Sequence, residues 1–154
     1  MTVAARRELL EKWYRSGESS HWEGEKKPDP TLFGFVYLIT NTVNGRLYIG
    51  KKQYYHIRYV KVNGRRRKSC KSSGWEYYTG SSKELNKDIK KYGKDKFKFE
   101  ILWNCTTRSV LHWMEIVEQV DSRVMTKTID GSNERRYYNK QIAAIRFIPS
   151  GEAL

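Results

Sequence analysis

Residues 34–52 read GFVYLITNTVNGRLYIGKK. The runs Phe35 to Thr40 and Arg46 to Gly50 are rich in aromatic and β-branched residues, as half-buried strands are, and Asn44-Gly45 lies between them. Asn-Gly between alternating apolar runs is the strongest short-range hairpin signal, because both turn residues accept positive φ. The hairpin sets Tyr37 and Tyr48 on adjacent strands with Lys51 and Lys52 directly after. Two phenols and two lysines are therefore expected together at one sheet edge.

Downstream, a second Asn-Gly at Asn63-Gly64 separates Tyr59 to Val62 from Arg65 to Lys68 and predicts a basic hairpin or arm inside an irregular insertion, residues 53–80. Ser81-x-x-Glu84 predicts a capping box opening a helix; Leu85, Ile89 and Tyr92 form its inner stripe and Gly93 ends it. Phe97, Phe99, Ile101 and Trp103 alternate imperfectly and predict a third strand. A longer helix is expected from about Thr107 to Met125, with Val110, Leu111, Met114, Val117, Asp121 and Val124 inward. Glu115 and Glu118 share a face of it, with Glu115 nearer the apolar stripe. Before the hairpin, residues 1–16 carry a helical pattern (Leu9, Leu10, Trp13, Tyr14) and a polar, Pro-containing segment reads as a linker.

These elements make an α+β class, a small mixed domain with a central three-stranded antiparallel sheet flanked by helices. The expected divisions are 1–32 for the N-terminal helix and linker, 33–148 for the domain and 149–154 for a tail. At 154 residues there is room for one domain. Thirty Lys and Arg against 17 Asp and Glu give a net charge of +13, and with 14% aromatic residues this points to an anionic partner with flat groups to stack on, nucleic acid above all. No run of eighteen apolar residues and no signal-like N-terminus is present, so an intracellular, non-secreted protein without a membrane is expected. Two cysteines and three scattered histidines exclude a four-thiolate zinc site. Lys52, Arg65, Arg66, Arg67, Lys68, Lys71, Trp75, Tyr78 and Lys83 combine cations with stacking rings and are the candidate nucleic-acid-binding residues.

The hairpin resembles the signature of the GIY-YIG nuclease superfamily, a Gly-Ile-Tyr and a Tyr-Ile-Gly tripeptide on adjacent strands. Phe35-Val36-Tyr37 stands for the first and Tyr48-Ile49-Gly50 matches the second fully. Tyr77-Tyr78-Thr79-Gly80-Ser81-Ser82 followed by a Lys-Glu-Leu helix is similar to small phage-encoded members, and the resemblance spans roughly Phe33 to Ile142. It implies a metal-dependent DNA endonuclease that hydrolyses phosphodiesters directly, in the cytoplasm of a bacterial host. Carried onto this sequence, it implies Tyr48 or Tyr37 as general base, Lys51 as its assistant, Arg58 (or one of Arg65 to Arg67) on the phosphate, Glu115 as ligand of Mg²⁺ or Mn²⁺, and Asn139 as support. A phenol needs a neighbouring cation to titrate near neutrality, and Lys51 and Lys52 are the cations at hand. A double-strand break would need a homodimer or two successive nicks. A non-catalytic nucleic-acid-binding module with the same fold shares the charge and the arm, but has no need of Tyr37, Tyr48, Lys51 and Glu115.

Overall fold

The computed structural model describes residues 4, 7, 8, 10–12 and 20–154. Leu9, Trp13 and Tyr14, which define the apolar side of the expected N-terminal helix, lie outside the described residues. Within residues 20–154, five strands, β1 (Gly34–Asn41), β2 (Leu47–Gln53), β3 (Tyr55–Val62), β4 (Arg65–Ser72) and β5 (Phe97–Cys105), and two α-helices, α1 (Lys83–Tyr92) and α2 (Arg108–Asp121), follow in the order β1-β2-β3-β4-α1-β5-α2. The main sheet is antiparallel in the order β2-β1-β5, and β3 and β4 form a separate two-stranded sheet.

The central position of β1 explains its nearly continuous apolar run, since both of its faces are covered. Phe35, Tyr37 and Ile39 point into one cluster with Trp22, Tyr54, Trp75, Leu85, Phe97, Phe99 and Tyr138, the side on which α1 packs. Val36 points the other way, with Ile49, Cys105, Val110, Leu111 and Val124, the side of α2. Each large side chain so buried contributes about 1.5–3 kcal/mol. Phe35, the residue that departs from the glycine of the motif, is fully buried between Trp22 and Tyr54, each 4.9 Å away between ring centroids.

The imperfect alternation of β5 has a physical cause. Its register against β1 shifts between Val36 and Tyr37, which pair with Trp103 and Ile101, so Leu102 is the extra residue of a bulge. Phe97, Phe99 and Ile101 then face the first cluster while Leu102 and Trp103 pack with the second.

The first turn differs from the expected two-residue form. Strand β1 runs on to Asn41, and of Asn44 and Gly45 only Gly45 takes positive φ, at 72°. Asn41 closes the loop, receiving a hydrogen bond from Gly45 N and donating its own N–H to Arg46 O, both 2.8 Å. The second Asn-Gly does obey the rule, with φ of 50° at Asn63 and 75° at Gly64 joining β3 to β4 directly.

The cap of α1 is also displaced by one residue. Ser82, not Ser81, is the N-cap and accepts from Leu85 N, which leaves the Ser81 hydroxyl for another contact. Helix α2 is capped by Thr107 and stops at Asp121, whose side is exposed rather than inward. Val124 reaches the core from the turn that follows.

Residues on both sides of the domain, Trp22 and Glu23 before it and Leu154 after it, are packed on the sheet. Trp22 is 4% exposed and donates its indole N–H to Trp75 O at 2.7 Å, while Glu23 bridges Glu100 in parallel. At the other end Leu154 and Asn104 exchange two 2.8 Å backbone hydrogen bonds. Among the described residues no helix is long and apolar enough to cross a membrane.

Candidate active site

Strand β2 is an edge strand, and its alternation sends Tyr48, Gly50 and Lys52 toward the α1 side and Ile49 and Lys51 toward the α2 side. At a sheet edge both sets reach the same opening. That opening is a cleft of about 440 Å³ lined by Tyr48, Lys51, Ser81, Ser82, Lys83, Glu84, Glu115, Gln119, Tyr138, Asn139 and Lys140 among others.

On the α1 side the phenols cluster. Tyr48 Oη lies 3.1 Å from Ser81 Oγ, and the Tyr37 ring has those of Tyr48 and Tyr78 beside it, 6.1 and 6.2 Å away between centroids. The arrangement depends on two glycines. A Cβ at Gly50 would stand 2.5 Å from Tyr37 Oη and 3.0 Å from Tyr48 Cε1, and one at Gly80 would stand 3.0 Å from that same Tyr48 atom. Tyr37 is 1% exposed. Burial first, then the neighbouring Tyr48, Tyr78 and Glu115, pushes its phenol well above the ordinary range, so Tyr37 stays neutral. Burial likewise raises Tyr78.

The expected cations are engaged elsewhere. Lys51 Nζ is paired with Glu115 Oε2 across the edge, and Lys52 Nζ lies 3.9 Å from the centroid of the Tyr78 ring, its pKa lowered by burial. Of the two glutamates on α2, Glu115 faces the cleft, whereas Glu118 accepts the Trp103 indole N–H at 2.6 Å.

The outer edge of β2 is closed by the segment Arg136–Asn139. Leu47 N donates to Arg136 O and Tyr138 N to Leu47 O. Asn139, 4% exposed, then takes over with its side chain: Ile49 N donates to its Oδ1 at 3.0 Å and its Nδ2 donates to Ile49 O at 2.7 Å. Gln119 Nε2 adds a third bond to Ile49 O at 3.1 Å. Ile49 sits between Tyr48 and Lys51, so this clamp fixes both. Glu84 on the far wall bonds Arg46 at 2.6 Å, and that bond, with the Arg46 and Lys140 charges, holds its carboxyl below the usual range against the effect of burial.

The cleft thus brings together Tyr48, Lys51, Glu115, Asn139 and Lys83, with Tyr37 behind and Tyr78 and Lys52 at its side. It does not include Arg58, Arg65, Arg66, Arg67, Lys68 or Lys71, which lie exposed on β3 and β4. Trp75 is 3% exposed and stands edge-on to Tyr54 at 5.1 Å, so its indole offers no face to a base. Sequence reasoning overlooked Ser81 and Gln119. Gln119 lies one helical turn beyond Glu115, a spacing that places it on the same face; Ser81 was hidden by its assignment as a cap.

The chain matches the family described as "Putative endonuclease segE, GIY-YIG domain" over residues 13–142. Over 80 residues it is 34% identical to a protein of Enterobacteria phage T4 described as "Putative endonuclease segD", an alignment covering 52% of this chain and 28% of that protein. No solved structure matches it. With the family match running through both tyrosine strands, both helices and Asn139, the chain belongs to the segE-type GIY-YIG family.

Proposed function

We propose that the chain is a metal-dependent DNA endonuclease that hydrolyses phosphodiester bonds at the β2 edge. The observation that carries this reading is the convergence of Tyr48, Lys51 and Glu115 on one cleft, with Asn139 and Gln119 holding the strand between them. Simple binding requires no such clamp.

Among the described residues no three His, Cys, Asp or Glu side chains gather for a metal. The donor is a single carboxylate, Glu115, its side chain 12% exposed at the cleft wall. Such a site fits a hard divalent ion of the Mg²⁺ or Mn²⁺ kind, which keeps several waters and takes further oxygens from a phosphate. When bound, that ion supplies neutralisation of charge on the phosphorane and the leaving oxygen.

The remaining roles fall to the chain itself. Tyr48 takes the proton of the attacking water while its own phenolic proton passes to the exposed Ser81 hydroxyl and on to solvent; its ring is backed by the neutral Tyr37. Lys51 is the counter-ion of Glu115 and is positioned to turn to the phosphate. Lys83 and Lys140 on the cleft rim attract the backbone. The substrate is duplex DNA, in keeping with the chain's net charge of +13, and one cleft cuts one strand at a time.

The test is plasmid relaxation in Mg²⁺ and in chelator. Nicking only with metal, lost in Glu115→Gln while DNA binding persists, is the expected result. Binding without cleavage under both conditions would leave a non-catalytic binding module instead, and full activity of Glu115→Gln would remove that residue from the mechanism.

A further inference from the structure

The β3–β4 ribbon is not used by the cleft. From Tyr55 to Ser72 it holds seven Lys and Arg and no Asp or Glu, more than half of the chain's net charge of +13. Among the described residues it makes no more than marginal contact with any other helix or strand. A two-stranded hairpin alone is marginally stable in water, and this one adds like-charge repulsion while leaving Ile57, Tyr59, Val60 and Val62 between 39% and 58% exposed. Such a surface calls for an anionic partner that also offers apolar contact.

The register sorts the side chains, because directly paired residues share a face. Val60 pairs with Arg67 and Val62 with Arg65, and Arg58 lies on that same face. The opposite face carries Tyr59 with Lys68 and Lys61 with Arg66, and there the Arg66 guanidinium is laid over the Tyr59 ring at 4.4 Å. Beyond the backbone ladder, no hydrogen bond or ion pair among the described residues engages the side chain of Arg58, Arg65 or Arg67.

We propose that this ribbon is a duplex-DNA reader that enters the major groove with its Arg58, Arg65 and Arg67 face toward the base edges. The proposal rests on the endonuclease reading only in taking DNA as the substrate. At ~3.3 Å per residue the eight-residue strands reach about 26 Å. The major groove, ~12 Å wide, admits a two-stranded ribbon, while the ~6 Å minor groove does not. Guanidinium forks suit guanine O6 and N7, and the valines between them suit thymine methyl groups. The ribbon also starts in the right place. It follows Lys51 and Lys52 at the end of β2, and its base is tied back by Ser73, whose hydroxyl donates to Gln53 O. A duplex with a phosphate in the cleft therefore meets the arm in the adjoining groove.

The test uses the full chain in chelator, so that binding is read without turnover. Three 30-bp probes are compared: plain duplex, the same duplex methylated at guanine N7, and the duplex with its minor groove filled by netropsin. The wild type is expected to lose about tenfold or more in affinity on N7 methylation and nothing with netropsin. Arg58→Ala/Arg65→Ala/Arg67→Ala should bind plain and methylated duplex equally, whereas Lys61→Ala/Lys68→Ala on the other face should weaken both alike. Sensitivity to netropsin but not to methylation, or wild-type discrimination in the triple arginine variant, overturns the proposal. Glu115→Gln keeps the two readings apart: it should abolish cleavage and retain the methylation effect.

Discussion

Removing the Asn139 clamp is the sharpest probe of how the site is held. Asn139→Ala deletes the 3.0 Å and 2.7 Å bonds to Ile49. The carbonyl keeps Gln119 at 3.1 Å, but the N–H, on a residue 2% exposed, loses its partner. Net loss of two hydrogen bonds at ~1 kcal/mol each, with a buried donor left unpaired, comes to roughly 2–4 kcal/mol. For a domain of this size that is a fall in melting temperature of roughly 5–15 °C. Because Ile49 lies between Tyr48 and Lys51, turnover should fall about tenfold or more even well below the melting point. Asn139→Asp adds a sign. Its second oxygen would face the Ile49 carbonyl, so the protonated form is favoured and the folded-state pKa is raised above the unfolded value near ~3.9. The clamp contribution is then present below the unfolded pKa and is lost as pH rises through the folded one. Thermal melts from pH 3.5 to 8, with wild type as reference, measure both effects. A melting point for Asn139→Ala within ~2 °C of wild type, together with unchanged turnover, would refute the reasoning.

Tyr48→Phe should lose about 100-fold in turnover, whereas Tyr37→Phe, whose phenol stays neutral, should lose under about tenfold; single-turnover nicking separates them, and the reverse order would move the base to β1. Gly50→Ala places a Cβ 2.5 Å from Tyr37 Oη and should cost about 1–3 kcal/mol in chemical denaturation. The His21 ring, stacked on Phe99 at 3.9 Å, has its pKa lowered to about 3 by burial and by the Lys94 charge. Its folded state therefore resists protonation. That contribution to stability is complete above the unfolded pKa near ~6.5 and is lost as pH falls toward the folded value. Melts at pH 7.5 and 5 should show the loss, and His21→Phe should flatten it.

What could be read from the sequence was whatever depends on local pattern. The hairpin, the third strand and both helices follow from alternation, helical spacing and Asn-Gly, and they suffice for the α+β sheet of three antiparallel strands. Details decided by distant contacts were not legible. Trp75 beside an arm of cations looks like a stacking residue, yet Trp22 from a polar, Pro-containing segment folds over and receives it. Ser81 and Ser82 are equivalent as caps by composition. Which of them caps depends on where Tyr48 Oη stands, 3.1 Å from Ser81. The engagement of Lys51 by Glu115, 64 residues away, could not come from either segment alone.

The location of the cleft follows from the strand period itself. Successive side chains of β2 point to opposite faces, so in the middle of a sheet Tyr48 and Lys51 would be separated by a layer of backbone. Only an edge strand lets the two faces open into one volume. An edge, however, leaves unpaired backbone groups, and here these groups belong to the residues that hold the reactive side chains. The Arg136–Asn139 segment resolves the conflict by pairing with Leu47 through its backbone and with Ile49 through an amide side chain. A full fourth strand would have run on past Ile49 and covered Lys51. By ending its pairing on a side chain, the segment satisfies the edge and leaves the cleft open beside it, which is why a buried asparagine, and not an apolar residue, stands at position 139.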